Sequence, residues 1–306
     1  MVSAVILLLL LIEVVIYAGL AIWLTALGVP AGQIAALILL LALLWRLSHA
    51  LTSYVVAAGY RWRDKRSLPL GDSLAALASE LSARAVSFNW SQPFARWAMG
   101  AEPAGGGGAG PPIVLVHGFF SNRGMWLKFR ARLAAAGLGP VYAVTVGPPT
   151  TSIDEMADQL SRRIDEICRA TGAGKIVVVA HSMGGLITRA YMARRGSGSI
   201  YKFITLGSPH QGTRLARLGL FECAQQMREG GPWLRALAQK EAENPPAVAT
   251  LSIYTVNDDL VYPPETSALA WAENVPVSAV GHVGLLFSAS VANRVIAAIR
   301  QPAPEG

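Results

Sequence analysis

The stretch Ile176-Val177-Val178-Val179-Ala180-His181-Ser182-Met183-Gly184-Gly185 limits the possible folds more than any other part of the chain. Its β-branched apolar run reads as a strand buried on both faces, as in the middle of a parallel sheet. The run stops at a serine flanked by small residues, and helical character resumes from Leu186. A strand–Ser–helix junction of this kind is a nucleophile elbow, a turn so tight that its neighbours must be small. It lifts the hydroxyl above the sheet edge and aims the first N–H groups of the helix at the same point. The pattern is usually G-x-S-x-G; here Ala180 replaces the first glycine and is still small enough for the close approach. The same string also occurs as an ordinary strand–helix turn, so its partners elsewhere must decide.

An apolar fraction of 53% and a mean hydropathy of +0.40 exceed what a purely soluble enzyme carries. The excess lies at the N-terminus. Residues 4–28 are apolar except for Glu13 and Thr25, against about 20 residues needed to cross a bilayer. Gly28-Val29-Pro30-Ala31-Gly32 breaks the run; a second follows over 34–45, passes Arg46 and continues to Gly59. Met1-Val2-Ser3 lacks the basic residue of a secretory signal. The reading is a transmembrane helical hairpin over 1–60 with both ends on one side. Arg61, Arg63, Lys65 and Arg66 come directly after it, and such clusters stay in the cytoplasm. A multi-pass protein of the cell (inner) membrane with its remaining chain in the cytoplasm is expected. Glu13 and Arg46 lie at equal spacing from the Val29-Pro30 turn, hence at nearly equal depth. A lone charge in hydrocarbon is costly, so the two are expected to pair; the competing reading has Arg46 reach the headgroups alone.

The net charge of +7 comes mostly from arginine, with no Lys/Arg block interleaved with aromatics. That favours an anionic lipid surface over nucleic acid as the basic partner. Cys168 and Cys223 show no metal-ligand spacing and read as buried free thiols. Residues 61–111 hold the basic cluster, an amphipathic pattern at Leu74, Leu77 and Leu81, and the aromatics Phe88, Trp90, Phe94 and Trp97. These aromatics fit either a membrane interface or packing against the next domain. The segment 100–112, with four glycines at 105–108, reads as a linker. A strand follows it instead of a helix, which excludes a phosphate-binding loop.

Beyond Pro112, strand signals at 113–116, 141–146, 175–180, 203–206, 250–256 and 277–280 alternate with helical patterns at 125–135, 153–170, 186–195 and 285–300. Alternation of this kind means a mostly parallel sheet with helices on both faces, over 112–306. Active sites in such sheets lie at the carboxyl ends of the strands. The stretch 213–246 interrupts the alternation as an inserted cap would. Ser182 needs a base, and of five histidines His282 follows the last expected strand at the correct edge; His210 is the second choice. His181 should point to the other side of the elbow. A carboxylate must orient that base, and Asp258 or Asp259 follows the preceding strand, the other then being a turn residue. Oxyanion donors are expected from the backbone N–H groups of Met183 and Phe119.

Val116-His117-Gly118-Phe119, Ala180 to Gly185, Leu206 to Thr213, Asp258 to Pro263 and Gly281 to Leu286 together resemble the α/β-hydrolase superfamily. They look most like the bacterial triacylglycerol lipases and carboxylesterases with an A-H-S-M-G-G elbow. The resemblance covers about 112–300 and implies that Asp258, three residues before Val261, is the acid. It does not extend to 1–111. It implies a serine hydrolase of carboxylic esters of lipids or other apolar acyl compounds, working without metal or organic cofactor, which the expected hairpin over 1–60 would anchor to the membrane. Phe120, Leu218, Phe221 and Trp233 are candidate substrate contacts. The same three residues could serve an amidase, thioesterase or peptidase, and a scaffold that has lost catalysis is the alternative outside enzymes. Oligomeric state is left open.

Overall fold

The alternating apolar runs do form a sheet. A computed structural model describes residues 1–103, 105 and 110–302, without the side chains of His49 and Ala50. Part of the expected 100–112 linker, Ala104 and 106–109, lies outside the described residues. Two long helices, α1 (Val2–Ala26) and α2 (Ala31–Arg63), precede α3 (Leu70–Val86), a π-helical turn Ser87–Ser91 and α4 (Ala95–Met99). Then follow β1 (Ile113–Val116), α5 (Leu127–Ala135), β2 (Val141–Val144), α6 (Ile153–Thr171), β3 (Ile176–His181), α7 (Met183–Arg195) and β4 (Ile200–Leu206). The chain continues with α8 (Glu222–Gln226), α9 (Pro232–Glu243), β5 (Ala249–Thr255), β6 (Glu273–Val277) and α10 (Ala289–Arg300).

The six strands are all parallel, in the order β2-β1-β3-β4-β5-β6. Alternate side chains enter two cores: Val114, Val116, Val178 and Ala180 face α6 and α7, while Ile113, Leu115, Val177 and Val179 face α5 and α10. Period-two burial on both faces is why these strands are continuous apolar runs. α6 starts where Ser152 Oγ accepts from the Glu155 N–H and ends at Gly172 in the left-handed region. Its inward stripe is Ile153, Met156, Leu160, Ile164 and Ile167. Strand order reverses between β1 and β3, and the crevice at such a point is where open α/β sheets bind ligands.

β6 lies at Glu273–Val277, not at 277–280. It is an edge strand with Glu273 exposed and Pro276 in the run, so it lacks the apolar pattern of an inner strand. The expected helix over 285–300 splits into a 3-10 turn, Val283–Leu286, and α10, capped by Ser288 Oγ.

α1 and α2 are long and apolar enough to cross a membrane. Leu8, Leu9, Val14, Val15, Leu39 and Leu43 are all exposed on them. Arg46 grips Glu13 with both guanidinium nitrogens, at 2.5 and 3.1 Å, and its Nε donates to Asn89 Oδ1 at 3.2 Å. The spacing argument therefore holds, with a third partner from the π-helical turn. The second of these helices runs on to Arg63. α2 has 33 residues, about 50 Å at 1.5 Å per residue, and its last turns lie on the sheet-bearing part of the chain. Ala57 is fully buried there, Tyr60 stacks on Tyr262 at 5.7 Å, and the Arg214 guanidinium reaches Asp64 at 2.6 Å. At the other end Ser3 Oγ donates to the Gln92 carbonyl and accepts from Asn122 Nδ2. The stretch 87–97 packs through Ser87, Ser91 and Gln92, all buried, and leaves Trp90 and Trp97 exposed.

Candidate active site

The junction after β3 has the strained backbone an elbow requires. Ser182 sits at φ 54°, ψ −128°, a region that non-glycine residues occupy only when the surroundings force it. Its N–H donates to the Leu206 carbonyl at 2.9 Å, and the Gly185 N–H donates to the Ser182 carbonyl at 3.0 Å. The loop after β1 passes directly beside it. A Cβ on Gly118 would lie 2.7 Å from the Ser182 Cβ, so only glycine lets Phe119 approach the serine. Met183, next in the chain, opens α7 and is buried. The two backbone groups named as oxyanion donors thus belong to segments flanking Ser182.

His282 and Asp258 are brought together and are almost completely buried. His282 Nδ1 lies 2.8 Å from Asp258 Oδ2. The other oxygen, Oδ1, accepts from the N–H groups of Leu260 and Val261 at 2.8 and 2.7 Å. The carboxylate is therefore fixed before it meets the ring. Burial alone would lower the imidazole pKa, but the Asp258 charge and hydrogen bond outweigh it, and His282 stands above its ordinary value.

His117 and His210 are held by hydrogen bonds away from any carboxylate contact described. His117 donates from Nδ1 to the Gly118 carbonyl and accepts at Nε2 from the Val146 N–H, and burial pushes it down to about 4. His210 is buried, bonds Thr205 Oγ1 through Nε2 at 3.0 Å and, among the described residues, has no carboxylate partner. Burial lowers it well below its ordinary value. His181 departs from expectation. It does not turn away from the site: its ring packs 4.7 Å from that of His282, and its Nε2 lies 3.2 Å from the His282 carbonyl oxygen. Asp259 departs as well. It is fully buried, with Oδ2 bonded to Arg84 at 2.6 Å and to Ser53 Oγ at 2.5 Å, and is no turn residue.

Of the expected substrate contacts, Phe120 and Phe221 form one aromatic cluster with the ring of Phe119, the ring centroids 5.9 to 6.4 Å apart. Leu218 is exposed at the end of the 3-10 turn Arg214–Leu218. Trp233 serves another purpose: its indole N–H donates to Asp154 at 2.7 Å and its ring packs on the core. Sequence reasoning missed Glu80 and Arg84 of α3. Glu80 is buried against the His282 loop, and Arg84 bridges it to Asp259. The available signal was the glycine on each side of the His282-Val283 pair, which marks a close backbone approach.

Residues 113–302, more than half of the chain, match the model of an alpha/beta hydrolase family. The chain belongs to the alpha/beta hydrolase family. Triacylglycerol lipases of Pseudarthrobacter phenanthrenivorans and Burkholderia plantarii are each 29% identical to this hydrolase over 113 residues. The match covers 34% of the chain and 35% and 31% of those lipases, so the chain spans about a third of the length of the curated relatives it matches. Among solved structures, lipase B of Aspergillus fumigatus superposes with a TM-score of 0.59 at 20% identity, covering 67% of this chain and 57% of that one. The mature lipase BlEst2 of Bacillus licheniformis gives 0.54 at 18% identity, covering 65% and 94%. These two share the hydrolase fold.

Proposed function

We propose that this chain is a membrane-anchored serine hydrolase that cleaves carboxylic esters of lipids or other apolar acyl compounds. The observation that carries the reading is the buried His282–Asp258 pair at 2.8 Å, on the sheet edge where Ser182 is held in a strained turn. In this reading Ser182 Oγ attacks the ester carbonyl while His282 Nε2 takes its proton. Asp258 accepts from Nδ1–H and stabilises the imidazolium. The N–H groups of Met183 and Phe119 hold the oxyanion. The imidazolium returns its proton to the leaving alkoxide, and water, deprotonated by His282, releases the acid from the acyl-enzyme. The cluster of Phe119, Phe120 and Phe221 supports an apolar acyl group, as do lipase relatives. Hydrolysis of a p-nitrophenyl ester and labelling by a fluorophosphonate should both vanish in Ser182→Ala without loss of folding. Retention of more than a small residue of activity refutes the assignment.

The anchor in this reading is the α1–α2 pair, with the hydrolase part on the cytoplasmic side because Arg61, Arg63, Lys65 and Arg66 follow the hairpin. A reporter fused at Gly306 should then signal the cytoplasm; a periplasmic signal overturns the orientation.

A further inference from the structure

The loop carrying His282 is not held by the hydrolase sheet alone. α3 lies against it, and the N–H of Gly281 donates to Ser79 Oγ at 2.9 Å while that of Gly284 donates to Glu80 Oε2 at 3.0 Å. These bonds bracket His282 in the chain. A Cβ on Gly281 would lie 2.5 Å from Glu80 Oε2 and 2.8 Å from the Tyr54 hydroxyl oxygen of α2. Glu80 is fully buried, and its Oε1 accepts from Arg84 Nε at 2.7 Å. Arg84 continues to Asp259, which Ser53 of α2 also contacts. Ser53, Tyr54, Ser79, Glu80 and Arg84 all lie outside the residues matched by the hydrolase family.

Seating a helix on a domain needs only apolar side chains, and burying carboxylates is costly unless they are paired. Here the Arg84 guanidinium pairs with both Glu80 and Asp259. The groups that face His282 are Asp258 and Asp259 from the loop after β5, Glu80 and Arg84 from α3, Tyr54 from α2 and His181 from β3. Burial keeps His181 neutral, so the balance behind the imidazole is negative. A negative surrounding favours the imidazolium that forms during attack.

We propose that Glu80 is a positioning residue of the active site, supplied by the membrane-proximal helix, which fixes the His282 loop and tunes its imidazole by charge. This rests on His282 being the base for Ser182. Burial and the Asp259 charge push the Glu80 carboxyl up to about 7, so the charge itself responds near neutrality.

The test is the pH profile of kcat/KM for p-nitrophenyl butyrate, measured on the detergent-solubilised full chain. Glu80→Gln keeps an acceptor for Gly284 and deletes the charge. Without that charge the imidazole loses its proton more easily, so the acid limb should move to lower pH by about half a unit or more. Glu80→Asp keeps the charge but withdraws it from Gly284; it should leave the limb in place and lower kcat, and it serves also if the Gln variant fails to fold. An unmoved limb in Glu80→Gln, or an unchanged kcat in Glu80→Asp, overturns the proposal. Simple structural damage would lower the rate equally at every pH, and that result overturns it too. Fluorophosphonate labelling of wild type and Ser182→Ala is run in parallel. Equal labelling of those two would remove the Ser182–His282 assignment itself, a failure distinct from the others.

Discussion

Replacing Arg84 by Met removes the cation between two buried carboxylates and keeps most of the aliphatic stem. The Arg84 side chain is 17% exposed, and Glu80 and Asp259 are at 0%. Breaking a buried ion pair from one side costs about 3–5 kcal/mol, because an uncompensated charge is left behind. Part of that is recovered when the carboxyls take up protons. Glu80 already stands at about 7 against an ordinary 4.5, through burial and the Asp259 charge. A raised acid binds its proton more tightly in the folded state. Its stability contribution is therefore full below the unfolded value and lost as pH rises through the folded one. Removing Arg84 raises the folded value further. The deficit should be small near pH 5 and complete above about pH 8. The assay is thermal unfolding of the detergent-solubilised chain at the two pH values. At about 2–4 °C per kcal/mol for a domain of this size, the variant should melt about 6–20 °C lower at pH 8. Adding Glu80→Gln and Asp259→Asn to Arg84→Met should restore most of the loss, since neutral replacements of a buried cluster are often tolerated. A loss under about 1 kcal/mol at pH 8, or an equal loss at both pH values, refutes the reasoning.

The two adjacent aspartates should separate cleanly in ester hydrolysis. Asp258→Asn should lower kcat by about four orders of magnitude through the wrong imidazole tautomer. Asp259→Asn should act mainly on melting temperature; the reverse ranking would transfer the orienting role to Asp259. The Glu13–Arg46 contact should give a coupling energy of about 1 kcal/mol in a double-mutant cycle with Glu13→Gln and Arg46→Gln, the scale of polar contacts between membrane helices. A coupling of zero would leave the hairpin packing to van der Waals contact.

The parts legible in the sequence were those where one local pattern carries the whole signal. β1, β2 and β3 are buried along their whole length, and the elbow announces itself by small residues round Ser182. The contact of His282 with an aspartate of the 258–259 pair was legible because this architecture fixes the order of strand ends along the chain, and the choice of Asp258 came from the family resemblance. β6 was misplaced because an edge strand is defined by its neighbour, not by its own apolar content. Glu80 and Arg84 were missed for a related reason. An i, i+4 Glu–Arg pair on an amphipathic helix reads as a solvated face, and nothing within α3 shows that the His282 loop will cover it. His181 was misdirected by treating the elbow as a simple up–down alternation, whereas its ring follows the space beside His282.

The clasp between the N-terminal helices and the hydrolase part also sets the order of assembly. Ser53 and Asp259 are 206 residues apart in the chain, Arg66 and Glu265 are 199 apart, and Arg84 and Asp259 are 175 apart. During synthesis α2 and α3 exist long before the loops that will cover them. Their buried carboxylate and arginine must stay hydrated until β5 and the His282 segment emerge. Contacts of such separation pay their loop-closure entropy late. The helices made first are therefore locked last, and the surroundings of His282 are complete only when α2 and α3 have met the loops that follow β5 and β6.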